Sequence, residues 1–319
     1  MSQRRSKALA SAAMLAWFAA CAAEPNQSAG SSANSSSASV SAPSSVSTAL
    51  ASASSTAPGA VASAVASSAK VIASAPPAPT PVKSAAPRFL PENPGCAVPA
   101  GFDGWSWKRV HRVENLDVDA VVITLDVGAR LPNLARVLDV LRDEKVATTI
   151  FLYTGEIASS PDGPAILKRM VAEGHELANH TLSHKDLTTL DEKDVKHQLD
   201  AVEELAQRET GASTHPFFRE PFLATNDDVD KIVREDCYRS IWFTVDTGDW
   251  KDKVKADDIV ANVFEKHGKP RTIERGSIFI FHGSQKENLD ALPRVIHGLR
   301  DRGFTFLTLG EALRRSGGR

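Results

Sequence analysis

The sequence predicts an α/β fold: an irregular seven-stranded (β/α) barrel preceded by a disordered tether. Three observations predict it. Composition changes sharply near residue 88, short apolar runs alternate with amphipathic segments from residue 120 onward, and ionisable residues close several of those runs. An open doubly wound sheet is the competing architecture, because seven parallel strands depart from the eight of the familiar closed barrel.

Residues 1–21 have the layout of an export signal: a basic start (Arg4, Arg5, Lys7), an apolar run of small residues, then Cys21. The run is too short to span a bilayer comfortably. Phe18-Ala19-Ala20-Cys21 resembles a bacterial lipoprotein processing site, in which the cysteine becomes the lipidated first residue, although Phe18 stands where an aliphatic residue is usual. Ordinary secretion, with Cys21 discarded, is the alternative. Both place the chain outside the cytoplasm, and the first holds it at the cell envelope, anchored to the membrane through Cys21 alone.

Residues 22–90 are built almost wholly of Ser, Ala, Pro and Val, with no aromatic side chain before Phe89. Such a stretch buries too little apolar surface to offset its ordering entropy, so it reads as a linker, stiffer around Pro76, Pro77, Pro79 and Pro81. Residues 91–319 suit one large domain with a single core. The formal net charge of −2 offers no basic field, which argues against nucleic acid as a partner. A monomer is expected. In an oxidising compartment Cys96 and Cys237 can pair and pin the segment before the first strand to the domain; two buried thiols are the alternative.

The run at 120–125 is almost entirely β-branched or aliphatic, as a strand buried on both faces requires. Leu134, Val137, Leu138 and Leu141 then repeat at helical spacing. Residues 147–153 form the second strand, 164–173 a helix stopped by Gly174, and 175–179 a third strand. The longest helix covers 191–209, with Val195, Leu199, Val202 and Leu205 on one face and Gly211 beyond its end. Further strands are expected at 217–219, 240–245, 277–281 and 304–307. Trp105 and Trp107, just before the barrel, are expected to cover its bottom.

Both architectures put reactive groups at the carboxyl ends of strands, where Asp126, His180, Arg219, Asp246 and His282 fall. Singly, each has an ordinary structural explanation: a helix cap, a surface salt bridge or a structural histidine. Their joint placement on one rim is what points to chemistry. His180 and His184 are four apart, a spacing that turns two imidazoles toward one cation in a helix or tight turn. No Glu follows the first His, which excludes the zinc-protease pattern. Arg219 precedes Glu220-Pro221-Phe222 and can hold a carboxylate bidentately. Asp246-Thr247-Gly248-Asp249-Trp250 combines two acids with an indole able to stack on a sugar, or is a turn beside a core Trp. His282 ends an apolar strand, where a general acid is well placed.

In this order the residues resemble the polysaccharide deacetylases (the NodB-homology domain, carbohydrate esterase family 4) over 121–309. The resemblance implies a hydrolase that removes acetyl groups from an extracytoplasmic glycan. It implies His180 and His184 as ligands of a divalent metal, zinc with cobalt or nickel as substitutes, and Asp126 as general base. By the same resemblance Arg219 orients the base, Asp246 holds the arginine, and His282 is the general acid. The Phe222 backbone N–H would bind the oxyanion and Trp250 would form an aromatic wall of the substrate groove.

The family's first motif carries two consecutive aspartates, the second a metal ligand. Here the motif reads Thr124-Leu125-Asp126-Val127-Gly128, so Val127 removes the anionic ligand and should weaken metal binding severely. Retained hydrolysis is the reading favoured by the survival of Asp126, Arg219, Asp246 and His282 together. A catalytically impaired glycan-binding lipoprotein is the main alternative, and a hydrolase of non-sugar C–N bonds the third.

Overall fold

The computed structural model describes residues 88–90, 93–98, 100–102 and 104–318, the first of these stretches and residues 93 and 94 as backbone alone. The expected export signal (1–21), lipidated Cys21 and nearly all of the linker (22–90) lie outside the described residues.

In chain order, β1 (Arg88–Leu90) and β2 (Asn93–Val98) form an antiparallel pair. Next come β3 (Ala120–Val127), α1 (Leu131–Asp143), β4 (Thr149–Leu152), α2 (Gly155–Ser159), α3 (Gly163–Ala172), β5 (Glu176–Asn179) and α4 (Glu192–Thr210). The rest are β6 (Phe217–Phe218), α5 (Asp227–Glu235), β7 (Arg239–Ser240), β8 (Val245–Asp246), α6 (Ala256–Phe264), the hairpin β9 (Glu265–Lys266) and β10 (Lys269–Pro270), β11 (Ile278–His282), α7 (Asn288–Arg300), β12 (Thr305–Phe306) and α8 (Leu309–Arg315). Among the described residues no helix is long and apolar enough to cross a membrane.

The predicted helices form for the predicted reasons. In α1, Leu131, Leu134, Val137, Leu138 and Leu141 are buried on one face. In α4, Asp191 caps the start by accepting from the Asp194 N–H at 2.8 Å, and Gly211 ends the helix at φ 73°, a conformation glycine adopts without penalty.

The main sheet is parallel, in the order β7-β6-β5-β4-β3-β11-β8, with β12 paired to the start of β3. The expected strand at 240–245 is a correction: it divides into β7 and β8, which lie at opposite ends of the hydrogen-bonded path. Only residues 241–244 separate them, and so short a link forces the two edges of the sheet together. The Ile241 N–H donates to Phe218 O (2.8 Å) on one side and the Thr244 N–H to Ile278 O (2.8 Å) on the other. A strap at 110–113 fills the remaining gap, Val110 bridging to Ile241 and Arg112 to Ser277. The result is an irregular barrel closed by a chain crossing rather than by a ladder.

Strand alternation divides the core. Val121, Ile123, Leu125, Val127, Ile150, Leu152, Leu177, Val245, Phe279 and Phe281 face the helical layer. Ala120, Val122, Phe151, Ala178, Phe217 and Ile278 face the barrel interior, where Trp105 and Trp107 close the bottom at 4% and 5% exposure, as expected. Cys96 and Cys237 form a disulfide with a Cα–Cα distance of 5.4 Å, tying β2 to the turn after α5.

Candidate active site

Continuing the inward alternation to the carboxyl ends brings Asp126 from β3, His180 after β5, Arg219 after β6, Asp246 from β8 and His282 from β11 to one mouth. Asp126 and His282 are direct partners in the β3–β11 ladder, which sets their backbones about 4.8 Å apart. A cavity of about 280 Å³ opens there, lined by Asp126, His180, His184, Phe222 and His282 together with Tyr153, Glu156 and Gln285. A smaller recess beside it is bounded by Arg219, Phe243, Asp246 and Trp250.

Arg219 is fully buried and almost all of its donors are used. Nη1 donates to Asp126 Oδ1 (2.5 Å) and Thr124 Oγ1 (3.1 Å), Nε to Ile241 O (3.0 Å), and Nη2 to Trp242 O (3.2 Å). Its guanidinium lies 4.0 Å from the centre of the Phe151 ring. Burial alone pushes the Asp126 carboxyl up, but the charges of Arg219, His180 and His282 outweigh it and hold Asp126 below the usual carboxylate range.

His180 Nδ1 donates to Arg219 O (2.7 Å), an oxygen that only accepts, which leaves Nε2 facing Asp126 Oδ2 at 3.6 Å. The turn that follows is tight rather than helical: Thr181 and His184 have φ of 75° and 55°, and Thr181 Oγ1 accepts the His184 N–H at 3.0 Å. This folds the two imidazoles edge to face, 4.8 Å between centres. Burial lowers the pKa of both, His184 strongly. Phe222 sits at φ 58° with its ring 4.7 Å from that of His184.

His282 is held by a residue to which the sequence reading gave no role. Asp249, 1% exposed, accepts the His282 backbone N–H (2.6 Å) on Oδ2 and Nδ1–H (2.8 Å) on Oδ1; Asn288 Nδ2 also donates to its Oδ2 at 2.7 Å. Burial works to lower the His282 pKa, but the charge and hydrogen bond of Asp249, helped by Asp126 and Asp246, raise it to about 9.

The expected part for Asp246 is corrected accordingly. Arg219 is held by Asp126, Thr124, Ile241 and Trp242, whereas Asp246 accepts the Gly248 N–H (2.8 Å) and Trp250 Nε1–H (3.2 Å), fixing the indole at the recess. The signal for Asp249 was its place three residues after Asp246 in the same loop. Tyr153 was also missed, although it follows β4 with the inward parity of Thr149 and Phe151. Gly128 makes room for it, since a Cβ there would collide with the Tyr153 ring.

Among the described residues, no group of three or more His, Cys, Asp or Glu side chains is placed to hold a metal ion. Two imidazoles are present, and the nearby carboxylate is engaged by Arg219. Val127 is 2% exposed, packed in the apolar layer with Leu131 and Leu134, and so close to Gly283 that a Cβ on that glycine would strike it. This donor set does not fit a resident divalent cofactor.

The polysaccharide deacetylase family model matches residues 114–241. The chain is 32% identical over 200 residues to a peptidoglycan-N-acetylglucosamine deacetylase of Bacillus cereus, covering 61% of this chain and 69% of that protein. It is 29% identical over 200 residues to the peptidoglycan-N-acetylmuramic acid deacetylase PdaA of Bacillus subtilis, covering 62% and 73%. Among solved structures it resembles a variant, with restored enzymatic activity, of a CE4 family pseudoenzyme from Bacillus anthracis: TM-score 0.58, 25% identity, 65% of this chain and 72% of that one. With the barrel, its mouth and these likenesses in agreement, the chain belongs to the polysaccharide deacetylase family.

Proposed function

We propose that the barrel mouth hydrolyses acetyl groups from an extracytoplasmic glycan, of the N-acetylglucosamine type or O-acetylated. The observation that carries this reading is that two charge pairs, buried Asp126 with Arg219 and partly buried His282 with buried Asp249, meet one cavity with opposite proton affinities. Asp126 is ionised and able to accept a proton at neutral pH, while His282, at about 9, is protonated and able to give one.

In this mechanism a water oxygen attacks the acetyl carbonyl carbon as Asp126 takes the water's proton. The carbonyl electron pair moves to oxygen, where the Phe222 backbone N–H donates to it. Collapse breaks the bond from carbon to nitrogen, or to oxygen for an ester, and His282 delivers its proton to the departing atom. Acetate and a free amine or hydroxyl leave, and the proton on Asp126 returns through solvent to His282. Trp250, fixed by Asp246, supplies a face on which a sugar ring stacks. His180 and His184 would hold a divalent metal only weakly, zinc before cobalt or nickel, and no step depends on one.

The substrates named for the two curated relatives support a glycan partner, and those enzymes act on N-acetyl sugars of peptidoglycan. The Cys96–Cys237 bridge and the N-terminal sequence support an exported chain, lipid-anchored at Cys21. Acetate release from an acetylated chitin-like oligomer, with and without added zinc, cobalt or nickel, tests the activity; none under any condition rejects it. Val127 and the likeness to a pseudoenzyme favour a second reading, a glycan binder without turnover. That reading predicts oligomer binding that survives His282→Ala in a chain releasing no acetate.

A further inference from the structure

Glu220 is a buried acid that the mechanism above does not use. It is 1% exposed and follows Arg219 directly, yet it turns away from Asp126. Its Oε1 accepts the Ser240 hydroxyl (2.5 Å) and its Oε2 accepts Trp242 Nε1–H (3.0 Å). These two partners flank Ile241 in the link that closes the barrel between β7 and β8. That link has no regular ladder of its own, and its carbonyls at Ile241 and Trp242 are two of the acceptors that aim the Arg219 guanidinium.

Arg109 completes the clamp from outside. Its Nε donates to Ser240 Oγ (3.1 Å), its Nη2 lies 3.6 Å from Glu220 Oε1 and 2.8 Å from Asp230, and its guanidinium carbon stands 4.6 Å from the centre of the Trp242 ring. Burying a carboxylate is costly unless its hydrogen bonds are made. A residue whose only task was to fill this space would be apolar. The geometry points to Glu220 as a positioning residue: it fixes the two carbonyls that hold Arg219, and through Arg219 it fixes the base Asp126.

The chain of contact runs from Glu220 to Ser240 and Trp242, then to the Ile241 and Trp242 carbonyls, then to Arg219, and ends at Asp126. A loosened link leaves Arg219 free to tilt, and misplacement of this kind lowers turnover without removing a group that touches substrate. The inference rests on the deacetylase reading for its kinetic consequence alone; the grip on Arg219 is independent of it.

The test compares Glu220→Ala and Glu220→Gln in the full chain, reading hydrogen exchange at Arg219 Nε–H by ¹⁵N NMR alongside acetate release. In Glu220→Ala the Nε–H should exchange at least about 10-fold faster. Its kcat should fall roughly 100-fold with KM within about 2-fold. Glu220→Gln, which still offers Trp242 an acceptor, should restore most of both. Should Glu220→Ala fail to fold, Trp242→Phe, which deletes one arm of the grip, should accelerate exchange in the same direction. A folded Glu220→Ala or Trp242→Phe chain with wild-type protection at Arg219 overturns the inference whatever its activity. An inactive wild-type chain rejects the deacetylase reading and leaves the exchange comparison to decide the role of Glu220.

Discussion

The two ends of the barrel interior are lined by the same strands in the same inward alternation, yet they are opposite in character. At the bottom, Ala120, Val122, Phe151, Ala178, Phe217 and Ile278 pack under Trp105 and Trp107, whose rings meet edge to face at 5.5 Å. At the top, the same inward alternation continues to His180 after Ala178 and Arg219 after Phe217, and, past Thr124 and Ile280, to Asp126 and His282. Alternation therefore decides which side chains share the interior, and depth along the strand decides whether they seal it or line the candidate site. The top pays for its charges with pairing: Arg219 on Asp126 and Asp249 on His282.

The sharpest way to break this division is to exchange the effects of the two ends. Asp126→Asn and His282→Ala should each lower acetate release of the folded fraction by roughly 10²–10⁴-fold, as loss of a general base or acid does, and because each strands a buried partner charge, Arg219 or Asp249, the thermal midpoint should fall as well. Trp105→Ala should cost about 3–5 kcal/mol of stability in a denaturant titration, as large-to-small changes in a core do, while the folded fraction keeps its kcat. A folded bottom variant that lost chemistry, or a folded top variant that kept it, would show that the ends are not separate.

A second comparison lies within the top, between its two charge pairs. Because the His282 pKa is raised to about 9, its acid form disappears as pH rises through that value, so turnover should show an alkaline limb near pH 9. The linkage has the same sign for folding: the stability contributed by the raised pKa is complete below the ordinary histidine value of 6.5 and is lost as pH rises through about 9. Asp249→Asn removes the dominant raising influence and leaves burial, so the limb should move down by more than one pH unit. An unmoved limb would assign it to another group.

The smallest effect concerns Val127. Val127→Asp sets a carboxylate among Leu131, Leu134 and Gly283, and in the absence of metal should cost about 1–3 kcal/mol. In exchange, zinc content of the purified chain should rise toward one ion per chain from a wild-type value far below it. Zinc near one ion in both would mean that His180 and His184 hold metal by themselves, and zinc equally low in both would mean that the site is arranged differently.

The buried strands were legible because a run as nearly all β-branched or aliphatic as 120–125 has one economical place in a folded domain, and the five rim positions followed from where such runs end. The division of 240–245 was not legible. Ser240 to Val245 reads as one β-rich run, and only the pairing of β7 with β6 and of β8 with β11 shows that the chain crosses from one sheet edge to the other. Asp246 and Asp249 occupy one loop, and sequence spacing does not say which acid reaches His282. Loop geometry does: Asp246 turns back to Gly248 and Trp250, leaving Asp249 to meet β11. Glu220 was hidden for a related reason, since its partners are brought to it by the closure of the barrel.

Everything functional turns on Asp126 and His282 acting on one substrate in one cavity. The most direct measurement is acetate released from an N-acetylglucosamine oligomer by the wild-type chain in chelator, set beside Asp126→Asn, His282→Ala and the double variant. The account predicts wild-type turnover, loss in each single variant, and a double variant hardly worse than the poorer single. Turnover that persists in both single variants, or that is absent from the wild-type chain under every metal condition, would contradict it.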